Sequence, residues 1–304
     1  MSARRPDPEG ATWARRRVSW RALGAALEGF DARFPRAARL SGDPVHLAHG
    51  WTRPQDAEVA ALLAASLAFG RASALIAKAR AALVGFGPDL AGEVSALREG
   101  DVPVHLRGLV HRWVNGRDIA VLLCGAGRLL REHGSLGAAF SAGLRDDDDP
   151  AHLLAALRRF ALSLAPQDPA AWFAGGRVSP GARYLLSVPN GQAAAKRWCL
   201  FLRWMARPAD GVDLGLWSHL GTARLTIPLD THVARIGSYI GLTDRRTAGW
   251  AMAREITANL ARFAPDDPTR FDFALSHLGI MGNCPRRRNP KRCAACDLVS
   301  ACRL

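Results

Sequence analysis

The C-terminal stretch NCPRRRNPKRCAACDLVSACRL sets Cys284, Cys293, Cys296 and Cys302 in a C-x8-C-x2-C-x5-C array, which accounts for four of the six cysteines in the chain. Four soft donors this close must either converge on one centre or pair off, and that limits how the end of the chain can fold. Two close pairs would suggest a zinc ribbon. Here one close pair is flanked by two single thiols. Four thiolates suit tetrahedral zinc or a [4Fe-4S] cluster, and the uneven spacing suits a cubane wrapped by a loop better than two knuckles. Two disulfides would require export, yet MSARRPDPEGATWARRRVSWRAL at the N-terminus carries charges throughout and no apolar h-region. Cys124 and Cys199 lie in apolar segments and are expected to be buried hydrophobes.

The remainder of the chain reads as helical. Apolar residues recur at helical spacing at Leu23, Leu27 and Phe30, along residues 59–69, at Leu153, Leu154, Leu157 and Phe160, and at Met252, Ile256, Leu260 and Phe263. No run of alternating strands is present. The longest apolar stretch, VAALLAASLAF, is too short to span a bilayer, so a soluble, cytoplasmic protein without a membrane partner is expected. The acidic run LRDDDDP and the Pro- and Gly-rich residues 165–181 read as loops.

Lys and Arg outnumber Asp and Glu by 41 to 27, a formal charge of +14 that suggests a polyanion partner. The excess is clustered. Arg183, Lys196, Arg197, Arg203 and Arg207 fall in a window without an acid, and between Cys284 and the end six basic residues face only Asp297. Such runs can neutralise phosphates and make binding steeply salt-dependent.

Two short segments look like joints between helices. SVPNGQAAAK, residues 187–196, has the turn triplet Pro189, Asn190 and Gly191, then an alanine run expected to start a helix with Lys196 about one turn in. A glycine turn before a helix presents backbone N–H groups that suit a phosphate, although an ordinary joint with a surface lysine reads the same way. In TIPLDTH, residues 226–232, Asp230 or Thr231 can cap the following helix.

Taken together, PLDTHVARIGSYIGL, the helices after it and the terminal four-cysteine loop resemble the helix-hairpin-helix-GPD superfamily of base-excision DNA glycosylases, in particular its iron-sulfur, endonuclease III-like branch. The likeness is best over residues 186–304. Upstream, EVAALLAASLAFGRASALIAKARAAL resembles the helix, loop and helix from which these enzymes push a wedge residue into DNA. The whole chain also looks like a little-characterised bacterial branch of the superfamily. It departs from the usual pattern in three respects. SVPNG replaces the hairpin L-P-G-V-G; Lys196 precedes Asp230 by 34 residues, farther than in the family; and the first cysteine gap is longer, closer to that of archaeal 8-oxoguanine glycosylases.

The resemblance implies an all-α, two-domain fold, with a helical barrel over 50–220 and a cluster domain assembled from 1–49 and 221–304. It implies a nucleoid-associated monomer acting on double-stranded DNA that contains a lesion. Asp230 would be the catalytic carboxylate and Lys196 the candidate amine, while Cys284, Cys293, Cys296 and Cys302 would hold a [4Fe-4S] cluster, with zinc as the alternative. Pro189, Asn190, Gly191, Arg197 and the loop arginines Arg286, Arg287 and Arg288 would meet DNA, with Phe69 or Arg71 as the wedge. Trp198, Trp204 and Trp217 could stack on a base but are more simply core. Such an enzyme flips a nucleotide out of the duplex, stabilises the sugar cation as the base departs, and, if an amine is available, forms a Schiff base at C1′. If Lys196 lies at the surface, Asp230 would activate water and the enzyme would be monofunctional. One rival reading is a non-catalytic iron-sulfur module of the same fold that binds DNA or RNA. Another is an electron carrier, which the size and basicity of the chain disfavour.

Overall fold

A computed structural model describes residues 19–145 and 149–303. The segment read for an export signal therefore lies largely outside the described residues, as do residues 146–148 of the acidic run.

The fold is predominantly α-helical. In chain order the α-helices are α1 (Trp20–Arg33), α2 (Ala37–Leu40), α3 (Pro54–Ser66), α4 (Ala72–Val84), α5 (Leu90–Ala96), α6 (Gly116–His133), α7 (Leu136–Ser141), α8 (Pro150–Ser163), α9 (Pro169–Trp172), α10 (Pro180–Leu185), α11 (Lys196–Ala206), α12 (Thr231–Tyr239), α13 (Trp250–Leu260), α14 (Asp272–Ile280) and α15 (Pro290–Ala294). Among the described residues the one strand pairing joins β1 (Val110–His111) to β2 (Val114–Asn115), antiparallel, with Val110 opposite Asn115. No helix among them is long and apolar enough to cross a membrane.

Helix α3 is buried on all sides from Asp56 to Ser66; the apolar run of residues 59–65 dictates this for most of its length, and the acids Asp56 and Glu58 are buried with it. It packs against α11, and fully buried Leu62, Leu63, Phe201 and Trp204 lie in the shared core. Each such side chain contributes on the order of 1.5–3 kcal/mol relative to exposure. Helix α6 starts at a capping box formed by Asn115 and Asp118 and ends at Gly134 in the left-handed conformation, φ 79°. Gly125 and Gly127 on α6 lie directly against the carbonyls of Leu164 and Val94, where a Cβ would collide. Trp198, Trp204 and Trp217 are core residues. So are Cys124 and Cys199, whose thiols burial pushes up to about 11 and about 12.

Glu58, a buried carboxylate on α3, anchors α7. It accepts the backbone N–H groups of Leu136 at 2.8 Å and Gly137 at 3.0 Å, and the indole N–H of Trp217 at 2.6 Å. These bonds satisfy donors that the first turn of a helix leaves open. Burial holds the Glu58 carboxyl above the usual range.

The basic window around α11 does not form the patch that its sequence suggests. Arg203 donates to Asp213 from Nε at 3.2 Å and Nη2 at 3.1 Å, and from Nη1 to Asp272. Arg207 bonds Asp267 at 2.9 Å, Asp210 at 3.1 Å, and Asp213. Acids just beyond the window, Asp210 and Asp213, and distant ones, Asp267 and Asp272, thus neutralise both buried guanidiniums. The two arginines fix the helix that carries Lys196 and are unavailable to phosphates.

Helix α1 packs on the 3-10 turn Val299–Ala301, and Phe34 meets Phe273 edge-on at 6.1 Å, so the two ends of the described chain lie together. Helix α12 packs on α14, where Gly279 leaves room for the His232 ring.

Candidate nucleic-acid site

Helix α11 begins at Lys196, not one turn earlier. The Asn190 side chain accepts the N–H groups of Gln192 at 2.9 Å and Ala193 at 3.1 Å, Gly191 is left-handed at φ 76°, and Ala195 is left-handed at φ 50°. This Asx turn takes up the alanine run and keeps it out of the helix. It also occupies two of the N–H groups that were expected to face a phosphate. The buried carbonyl of Pro189 accepts Arg158 Nε at 2.6 Å, and Gln192 receives the N–H of Trp250, so the joint is docked on the start of α13.

Lys196 is half-buried, and its Nζ donates to the carbonyl of Ala68 at 3.4 Å, just before Phe69. Arg197 points into the protein. Its guanidinium bonds the carbonyls of Ser66, at 3.1 Å, and Tyr184, reaches Ser187 Oγ at 2.9 Å, and lies 4.1 Å from the centre of the Tyr184 ring. Burial lowers its pKa. Arg197 therefore ties α3 to α10 across the foot of α11.

Asp230 is the N-cap of α12. Its Oδ1 accepts the N–H groups of His232 at 2.8 Å and Val233 at 2.7 Å. Burial lowers the His232 pKa; Asp230 raises it, whereas Arg235, Lys196 and Arg286 each lower it. The ring Nδ1 of His232 lies 3.4 Å from Arg235 Nη2, so the imidazole stands between the Asp230 cap and the arginine that holds the C-terminal loop. His232 stands within the quoted DTH triplet, but nothing in its spacing marked it.

The cysteine loop is built onto the same helix. Arg235 donates to the carbonyl of Cys284 at 2.9 Å, Tyr239 Oη donates to the carbonyl of Arg286 at 2.6 Å, and the Arg303 N–H donates to the carbonyl of Tyr239 at 2.7 Å. Leu298 and Ala301 are buried, while Arg286, Arg287 and Arg288 are exposed. Burial raises the Cys284 and Cys296 thiols. Cys296 and Cys302 add to that rise at Cys284, as do Cys302 and Cys293 at Cys296. The donor set fits a four-thiolate centre in its chemistry. Among the described residues no group of three or more His, Cys, Asp or Glu is gathered so as to hold a metal ion. A cleft of about 450 Å³ borders the loop, lined in part by Arg33, Arg39, Lys291 and Cys296; neither Asp230 nor Lys196 lines it.

Phe69 and Arg71 lie in the link between α3 and α4, as the helix-loop-helix reading expects. Phe69 is half-buried in an aromatic group. It stacks on Trp113 at 5.0 Å and 25°, and meets His111 at 4.6 Å and Tyr184 at 4.8 Å. Arg71 is exposed at the N-cap of α4. Trp113 carries no sequence signal, because a two-residue turn of Arg and Trp contains none of the usual turn residues.

A family model described as "Protein of unknown function (DUF2400)" matches residues 43–281, and the chain belongs to that family. The match takes in Phe69, Lys196 and Asp230 and stops short of Cys284. No curated protein matches the chain.

Proposed function

We propose that this chain is a DNA glycosylase of the helix-hairpin-helix-GPD kind that excises a damaged or modified base from duplex DNA. The observation that supports this reading most is that Asp230 caps α12, the helix onto which Arg235 and Tyr239 pin the cysteine loop through the carbonyls of Cys284 and Arg286. On this reading residues 50–220 form the barrel, residues 1–49 and 221–304 form the second domain, and DNA runs between them. Phosphates meet Arg286, Arg287 and Arg288, which are exposed on the loop pinned to α12.

A nucleotide turned out of the duplex brings its C1′ to Asp230. As the bond from C1′ to the base nitrogen breaks, its electron pair leaves with the base and positive charge develops on the sugar. The Asp230 carboxylate stabilises that charge from a fixed position, since the cap of α12 already orients it. The Lys196 amine, held near the carbonyl of Ala68, gives up its proton, which the departing base takes on its freed electron pair, and attacks C1′ to give a covalent intermediate; water attacks and yields its proton in the same way if the lysine does not reach. Cys284, Cys293, Cys296 and Cys302 would hold a [4Fe-4S] cluster, whose contribution when bound is to stiffen the basic loop.

The test is incubation of the purified protein with a panel of oligonucleotides carrying single lesions, with and without borohydride. Excision of one lesion, with a trapped adduct in the wild type and none in Lys196→Gln, is the expected result. Excision without trapping assigns attack to water. Tight binding to distorted DNA or RNA with no excision across the panel replaces the enzyme by a binding module.

A further inference from the structure

The turn between β1 and β2 consists of Arg112 and Trp113. Arg112 has φ 57°, a conformation that favours glycine and is one of only two such non-glycine cases among the described residues. Trp113 remains 49% exposed, although an indole is among the largest apolar surfaces a chain can bury. A hairpin this short is normally closed by Gly, Asn or Asp. Backbone strain together with an exposed aromatic at a turn tip points from the outlier to a use.

The surroundings indicate what that use is. One side of the Trp113 indole stacks on Phe69, and Tyr184 meets it edge-on at 5.2 Å, so the ring is braced from within. Arg112 Cζ lies 5.4 Å from the indole centre, and the Arg112 side chain crosses Gly70, next to exposed Arg71. Lys196 Nζ bonds the carbonyl of Ala68, the residue before Phe69. A braced, half-exposed indole among Arg112, Arg71 and Lys196 matches a nucleic acid strand, which offers a flat π face and phosphates together.

We propose that Trp113 is the residue that stacks on a nucleobase at the gap left beside the site, with Arg112 on the adjoining phosphate, and that Phe69 is its brace and not the wedge. This rests on the proposed function for its choice of DNA as the polyanion. It does not depend on excision.

The experiment measures binding to three duplexes: an intact one, one with a stable abasic analogue, and one with 2-aminopurine beside that analogue. Wild type, Trp113→Ala, Trp113→Phe and Phe69→Leu are compared, with thermal melting as the check on folding. Trp113→Ala is expected to lose roughly 10- to 100-fold in affinity for the abasic duplex while binding intact duplex within about 2-fold of wild type. Trp113→Phe should recover most of the loss. Wild type should quench 2-aminopurine where Trp113→Ala does not. Equal abasic affinity and equal quenching in wild type and Trp113→Ala would overturn the proposal, as would Phe69→Leu abolishing quenching while Trp113→Ala retains it. Absence of excision from a protein that still shows Trp113-dependent quenching would count against the glycosylase reading and leave the stacking role standing.

Discussion

Asp230 accepts the backbone N–H of Val233 at 2.7 Å, and this bond caps α12. Any catalytic duty of the carboxylate is therefore added to a structural one, and two substitutions separate them. Asn caps a helix as well as Asp does, so Asp230→Asn should melt close to wild type and bind lesion DNA normally, yet excise roughly 100-fold more slowly. Asp230→Ala removes the cap as well and should cost a further ~1 kcal/mol of stability. Melting curves and single-turnover excision on both variants check this. Full excision by Asp230→Asn would remove the case for this glycosylase family.

The cysteine loop rests on α12 through Arg235, Tyr239 and Arg303 and inserts Leu298 into the core. Protein purified without air should be brown, with broad absorption near about 400 nm, if the four thiols hold iron and sulfide. Cys293→Ala should lower soluble yield far more than Cys124→Ala, because losing a metal loop removes its contribution to folding. Colourless protein carrying one zinc per chain would replace the cluster with the four-thiolate alternative.

The helices were legible because their apolar spacing is strong: Leu23, Leu27, Ile256 and Leu260 are all buried where period 3.6 places them. The Asp230 cap was legible because capping is local. The start of α11 was not, because Ala favours a helix and only the Asn190 side chain and the left-handed Ala195 overrule it. Charge was misleading for a related reason. A window without acids says nothing about acids that arrive from elsewhere, and Asp213, Asp267 and Asp272 reach Arg203 and Arg207 only in the folded chain. Trp113 was invisible because its exposure and its stacking on Phe69 depend on a hairpin without a turn signature.

That division of the arginines can be tested. Neutralising Arg286, Arg287 and Arg288 together should weaken binding to every duplex alike and flatten the log-log salt dependence by up to about three, with melting unchanged. Arg203→Leu should do the reverse. It strands Asp272 in the core, leaves Asp213 to Arg207 alone and should cost roughly 3–5 kcal/mol, while the salt slope of whatever protein remains folded is kept. An unchanged slope in the triple variant would place the loop away from DNA.

His277 gives the fold a pH dependence with a definite sign. Its ring is buried against Phe273, with centroids 4.1 Å apart, Nδ1 lies 2.9 Å from the Phe273 carbonyl and Nε2 lies 3.8 Å from Asp43. Burial outweighs Asp43 and holds the His277 pKa below its ordinary 6.5. The unfolded chain therefore binds the proton more tightly than the folded one. The contribution of His277 to stability is complete above pH 6.5 and is lost as pH falls through 6.5 towards the lower folded value, by at most about 1.4 kcal/mol per pH unit. His277→Asn has no proton to bind, so it should start less stable at pH 8 and lose less than wild type between pH 7 and pH 5. Buried carboxyls such as Asp272 and Glu58 titrate in both proteins and cancel from the difference. Denaturant unfolding of the pair at half-unit steps reads it out, and parallel curves would show that His277 is protonated alike in the folded and unfolded chains.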